Sequence, residues 1–146
     1  MAAERVWPGS RGHTLLLGAA DLVLILLVFA VGLMSHGVSP LEQPIHTISI
    51  ASPFLFGWIL LAPIFGVYER LSERTFANVA GATLLAWSRA AVFGSAVRAT
   101  EFVHGGAPPV FVAVTIATGA AILVPWRIMI ALLVRRVSAH GSPNTR

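Results

Sequence analysis

Three charged side chains fall inside long apolar runs: Asp21, Arg89 and Arg127. A charge at the centre of a membrane helix costs roughly 2.5 to 3.5 kcal/mol, so each needs a counter-charge, a polar partner or a task. An intramembrane carboxylate can take up a proton or a cation, and an intramembrane guanidinium can attract an anion or tie two helices together. Asp21 lies about seven residues, roughly 10 Å, inside its run, and Arg127 lies about as far from the end of its own. Opposite charges at one depth in a small bundle favour a direct contact, because each otherwise lacks a counter-ion in low dielectric. Asp21 and Arg127 are therefore expected to form a buried ion pair, with the first and last helices adjacent. A second arrangement stays open at this level, with Arg127 snorkelling to the headgroups and Asp21 bonded to a hydroxyl or to water.

Other chemistry is sparse. His36, His46 and His104, with Glu42 and Glu101, occupy connections predicted to lie on one face, and imidazole with carboxylate suits zinc or a proton. Their spacing matches no metal motif. Arg98 stands at the outer end of its run, where it either attracts an anion or serves packing. Cysteine and lysine are both absent, as are Gly-x-Ser-x-Gly, His-Glu-x-x-His and a phosphate loop. Ser35 and His36 are neighbours in the chain, which does not make them a nucleophile and its base. The expectation is a non-enzymatic protein without cofactor or metal.

The elements that position these residues follow from composition. Of 146 residues, 56% are hydrophobic and 11% charged, with a mean hydropathy of +0.81. A soluble surface carries roughly a quarter to a third of its positions as charges, so lipid must cover this one. Four apolar runs, Thr14 to Met34, Ile45 to Val67, Phe76 to Val97 and Val110 to Val134, are each long enough to cross the bilayer. The class is all-α, an integral membrane bundle of four transmembrane helices with short loops, in one domain over residues 1–146. The first run is too long for a signal peptide and contains Asp21, so it is kept as a span. Arg5, Arg11, Arg70, Arg74, Arg135, Arg136 and Arg146 fall on one side of the four runs, and only Arg98 falls on the other. By the positive-inside rule both termini are cytoplasmic and the protein sits in the cell membrane. The tail from Ser138 to Arg146 is expected to be disordered. The arginines form no aromatic-interleaved polar patch, which argues against nucleic acid as a partner. Lipid is the expected partner, with a homo-oligomer as a further expectation.

At 100° per residue Gly18, Asp21, Ile25, Phe29, Gly32, Ser35 and His36 share one stripe of the first helix, a small and polar face that lets another helix approach. On the third helix Trp87, Ala91, Gly94 and Arg98 share a face and Arg89 lies near the opposite one. That places helix three centrally with Arg89 buried as a carbonyl cap, or places Arg89 at a contact between copies. Pro53, Pro63 and Pro125 each free a carbonyl four residues earlier, at Ser49, Ile59 and Ala121. Trp58, Trp87 and Trp126 fall at broadly similar depths beside the expected ion pair.

The order of these marks resembles the small integral membrane family catalogued as domain of unknown function 3054. The resemblance rests on Asp21, Gly32 with Ser35-His36, Pro53-Phe54 with Gly57-Trp58, then Trp87, Gly94 and Arg98, Phe111-Val112 and Trp126-Arg127, and covers about residues 15 to 127. It implies a four-helix membrane protein and no particular activity. Two positions depart from the family pattern: Leu33, where arginine commonly stands, and Arg89, where the residue is usually apolar. A cation has on this reading moved from the outer half of helix one to helix three. Gly32, Gly57, Trp58, Trp87, Gly94 and Trp126 are the expected helix-packing positions. The function expected is a scaffold or small membrane subunit. The alternatives are a small oligomeric transporter or channel using Asp21 as its proton or cation site, and an outer-face metal or pH sensor using His36, His46 and His104.

Overall fold

The structure, a computed structural model, describes residues 11–69, 71, 73–100 and 106–140. These form four helices and no strand: α1 (Arg11–Ser35), α2 (Pro44–Ile64), α3 (Phe76–Arg98) and α4 (Pro109–His140). All four are long and apolar enough to cross a membrane. Each helix runs back beside the one before it, so α1 begins, α2 and α3 are joined, and α4 finishes at one end of the bundle, here the proximal end. The α1–α2 and α3–α4 connections lie at the distal end.

The helix limits have local causes. Pro44 opens α2 at its first turn, where a missing N–H costs nothing. α2 stops at Ile64 and not at Val67, because Gly66 takes a φ of +63° and Val67 N–H returns to the Ala62 carbonyl, closing the last turn. Thr75 caps α3, its hydroxyl accepting from the Asn78 N–H at 3.2 Å. α4 continues through residues 138–140, past the point where a tail was expected to begin, and residues 141–146 lie outside those described.

The helices form a ring in which α1 packs on α2, α2 on α3, α3 on α4 and α4 on α1. α3 is therefore a corner of the ring and does not stand at its centre. Its two seams are tight because glycine faces a ring or a backbone across each. A Cβ at Gly57 would stand 3.1 Å from the Ala90 carbonyl oxygen, one at Gly94 would run into the Phe54 ring, and one at Gly119 would overlap the Trp87 indole. Phe29, Phe54 and Phe111 continue the core distally, with Phe29 and Phe54 centroids 4.5 Å apart and Phe54 and Phe111 6.1 Å apart.

On α1 the buried stripe is shorter than the sequence reading has it. Asp21, Ile25 and Phe29 face inward at four-residue spacing, while Gly32, Ser35 and His36 are exposed. Gly32 is not a close-packing position: nothing stands within 4 Å of where its Cβ would be. The physical reason is that α1 and α4 approach each other less closely distally, where a crevice separates them.

Candidate functional site

The buried polar centre is built around Asp21. Its position on the inward stripe of α1 aims the carboxylate at the bundle interior, and both Asp21 and Arg127 are 0% exposed. Arg127 donates from Nη2 to Oδ2 of Asp21. The same oxygen accepts from the Tyr68 hydroxyl at 2.9 Å and from Trp58 Nε1 at 3.2 Å, and Oδ1 accepts from Trp126 Nε1 at 3.1 Å. The Tyr68 ring also lies under the Arg127 guanidinium, 4.5 Å from it, so one phenol serves the acid with its hydroxyl and the base with its face.

Each donor comes from a different local device. Trp58 is carried by α2, one residue beyond Gly57, whose lack of a side chain lets α3 approach. Trp126 and Arg127 are consecutive on α4, directly after Pro125, and reach different oxygens of one carboxylate. Tyr68 stands on the turn after α2, and the left-handed Gly66 bends the chain there. Arg74 Nη1 donates to the Gly66 carbonyl at 2.6 Å, and Arg135 Nη2 donates to the Arg74 carbonyl, so the turn is tied to α4 by two arginines that the sequence marks as orientation signals. Arg135 also rests on Phe76, 4.2 Å from the ring centroid.

Trp87 joins α3 to this centre. Its indole meets Trp58 edge-on at 6.2 Å and donates to the Thr115 and Ile116 carbonyls of α4 at 3.2 and 3.1 Å. The three tryptophans of similar depth thus separate into two roles, with Trp58 and Trp126 on the carboxylate and Trp87 on backbone. Nε and Nη1 of Arg127 are buried without a hydrogen-bond partner. Outside the spans, burial and the adjacent carboxylate push the Tyr68 phenol well above its ordinary range, which keeps it a neutral donor. A recess of about 530 Å³ lies between α1 and α2 near the proximal end, and its lining includes Gly18, Trp58 and Tyr68.

The other candidates lie apart from this centre. Arg98 is 7% exposed at the distal end of α3, with its guanidinium 5.0 Å from the Phe111 centroid and its Nε and Nη1 unpartnered. Arg89 is not buried. Its side chain is exposed and lies back along α3, with Nη1 3.5 Å from the Leu85 carbonyl and the guanidinium 5.2 Å from the Phe65 ring. A long cation on an apolar face follows the helix toward a boundary and does not enter the core. Phe65 follows the proximal end of α2, so Arg89 does not replace a cation at position 33 near the distal end of α1.

Among the described residues, no three metal-type side chains converge. His36 and His46 are both exposed, and His104 and Glu101 lie outside the described residues. Ser35 donates to the Gly32 carbonyl at 2.6 Å. The carbonyl freed by Pro53, that of Ser49, accepts from the Ser52 hydroxyl at 3.0 Å, so this break is satisfied within its own helix.

Residues 18–130 match the model of the family described as "Protein of unknown function (DUF3054)". The chain belongs to that family. The stretch matched to the DUF3054 model contains all five residues of the Asp21 centre, from α1 to α4. No curated protein and no solved structure matches the chain.

The residue that sequence reasoning missed is Tyr68. It is the chain's one tyrosine, and it follows a glycine at a span end, which is the only local sign that it turns back into the bundle. Gly119 was missed as well. An Ala-rich run hides it, and its importance depends on which indole lies opposite.

Proposed function

We propose that this chain is a non-enzymatic scaffold or small subunit of a membrane assembly, held in the cell membrane with both termini in the cytoplasm. The observation that carries this reading is the set of four donors that converge on the Asp21 carboxylate. Arg127, Tyr68 and Trp58 donate to Oδ2 and Trp126 to Oδ1, from α4, the α2–α3 turn, α2 and α4. A proton or cation carrier needs a carboxylate that can exchange partners, whereas one held by donors from three different segments fixes helix positions. The hydrogen bond from Ser35 to the Gly32 carbonyl, in place of one to His36, supports leaving that pair without a catalytic role. The excess of arginine at the proximal end supports the orientation. The partners are lipid and a second copy, which we place against the exposed Arg89 surface, since a guanidinium on an apolar face gains from being covered.

The test is reconstitution in sealed vesicles under an imposed pH or cation gradient. The expected outcome is leakage no faster than in protein-free vesicles, for both the natural chain and Asp21→Asn. The transporter reading has one observation in its favour, the recess whose walls include two of the Asp21 donors, Trp58 and Tyr68. Flux through the natural chain that Asp21→Asn abolishes, in protein that remains folded, establishes transport and overturns the scaffold.

A further inference from the structure

Gly32, Ser35 and His36, which the sequence singles out on α1, take no part in the Asp21 centre. All three line a crevice of about 500 Å³ between the distal halves of α1 and α4, faced by Phe111, Thr115 and Thr118. The volume falls within the roughly 300 to 1,000 Å³ typical of ligand sites. Its walls belong mainly to helices apolar enough to span a membrane, so hydrocarbon chains are what its mouth faces. Gly32 keeps it deep, because nothing occupies the space where a side chain would stand.

The distal end adds charge. Arg98 rests on Phe111, a residue of the crevice wall, and two of its nitrogens, Nε and Nη1, lack a partner although the residue is 7% exposed. Ser95, one turn earlier on α3, is 4% exposed and its hydroxyl is likewise unpartnered. Among the described residues, no aspartate or glutamate lines the crevice. A buried cation with free donors is incomplete in low dielectric, and a phosphate oxygen is a strong acceptor for guanidinium and hydroxyl donors.

We propose that the crevice binds an acyl chain of an anionic phospholipid from the distal leaflet, with the headgroup phosphate held at the Arg98 end. A zwitterionic lipid fills the same apolar wall, but the trimethylammonium beside its phosphate offsets the attraction to Arg98, whereas an anionic lipid brings net negative charge to that end. A free phosphate meets the charge and leaves the wall empty. The proposal does not depend on the scaffold reading, whose flux assay interrogates Asp21 and none of these residues.

The test uses the full chain in nanodiscs containing phosphatidylglycerol or phosphatidylcholine with a photoactivatable acyl chain, followed by peptide mapping. Phosphatidylglycerol is expected to label the Gly32–His36 and Val114–Thr118 stretches about tenfold more than phosphatidylcholine, whose trimethylammonium is repelled by the Arg98 guanidinium. Gly32→Phe and Thr118→Trp, which fill the crevice from opposite walls, are each expected to reduce that labelling to the level seen on the outer surface of α3. Arg98→Gln is expected to abolish the preference between the two lipids. If Arg98→Gln does not fold, competition on the natural chain decides the headgroup: unlabelled phosphatidylglycerol displaces the probe, and phosphatidylcholine and inorganic phosphate do not. Equal labelling by both lipids, labelling indifferent to both filling substitutions, or displacement by inorganic phosphate overturns the proposal.

Discussion

Removing one half of the Asp21–Arg127 pair leaves the other charge buried with nothing to balance it. Asp21→Asn and Arg127→Met are each expected to lower stability by about 3 to 5 kcal/mol, the range for a broken buried pair. The double substitution Asp21→Asn with Arg127→Met is expected to cost less than the sum of the two, because neither charge then remains. Denaturant titration in mixed micelles, read as a double-mutant cycle, checks both statements. Tyr68 carries a second prediction. Its hydroxyl donates to a charged acceptor, so Tyr68→Phe is expected to cost about 1.5 to 3 kcal/mol. The phenol's pKa in the folded chain is pushed above its usual value near 10.0 by burial, and further by the neighbouring Asp21 carboxylate. The unfolded chain therefore releases this proton at lower pH than the folded one, and the stability it contributes is present below pH 10 and falls as pH rises beyond it. Tyr68→Phe is expected to flatten that alkaline fall in an unfolding series between neutral and high pH.

Between helices, glycine decides how closely two axes approach, and the effect of filling each position depends on what faces it. Gly94→Ala and Gly119→Ala drive a methyl into the Phe54 ring and the Trp87 indole, which are both fully buried. Each is expected to cost about 1 to 3 kcal/mol, as overpacking does. Gly32→Ala meets open space and exchanges a poor helix former for the best one, so its expected effect is neutral to stabilising by up to about 1 kcal/mol. Thermal melts of the three variants under one detergent condition check the ordering. A Gly32→Ala as damaging as the other two would show that α1 and α4 pack closely at their distal ends, contrary to the crevice seen there. The α2–α3 turn illustrates the same dependence on neighbours. Arg74 and Arg135 each satisfy a backbone carbonyl at the proximal end, so arginines counted as topology signals also hold the turn that carries Tyr68.

At the scale of the whole molecule, four helices in a ring place α1 against α4 by a polar clamp near one end and leave a crevice toward the other. The proposed orientation in the bilayer rests on the distribution of arginine, and the cysteine-free sequence makes it easy to test. Glu73→Cys on the proximal side and Glu42→Cys on the distal side are both exposed. Intact cells treated with a membrane-impermeant maleimide are expected to label Glu42→Cys directly and Glu73→Cys only after permeabilisation. The reverse pattern would overturn the cytoplasmic placement of both termini.

Apolar length and the near-absence of charge determined the four helices, because a helix satisfies its backbone within one continuous apolar run, whereas a barrel strand alternates apolar and polar residues. Matching depths of Asp21 and Arg127 were readable for the same reason, since rise per residue converts sequence position into height within a span. Lateral relations were not readable. Whether a residue faces a neighbour or lipid depends on which helices are adjacent and how far apart they stand, and hydropathy along one helix carries little of that when every face is apolar. Arg89 shows this, lying exposed over Phe65 where the sequence allowed a buried cap. Gly32 shows it too, with a crevice where a close contact was expected. Only the tertiary structure brought Tyr68 onto the carboxylate, because a turn residue's direction depends on the left-handed Gly66 and on the arginine that holds that turn.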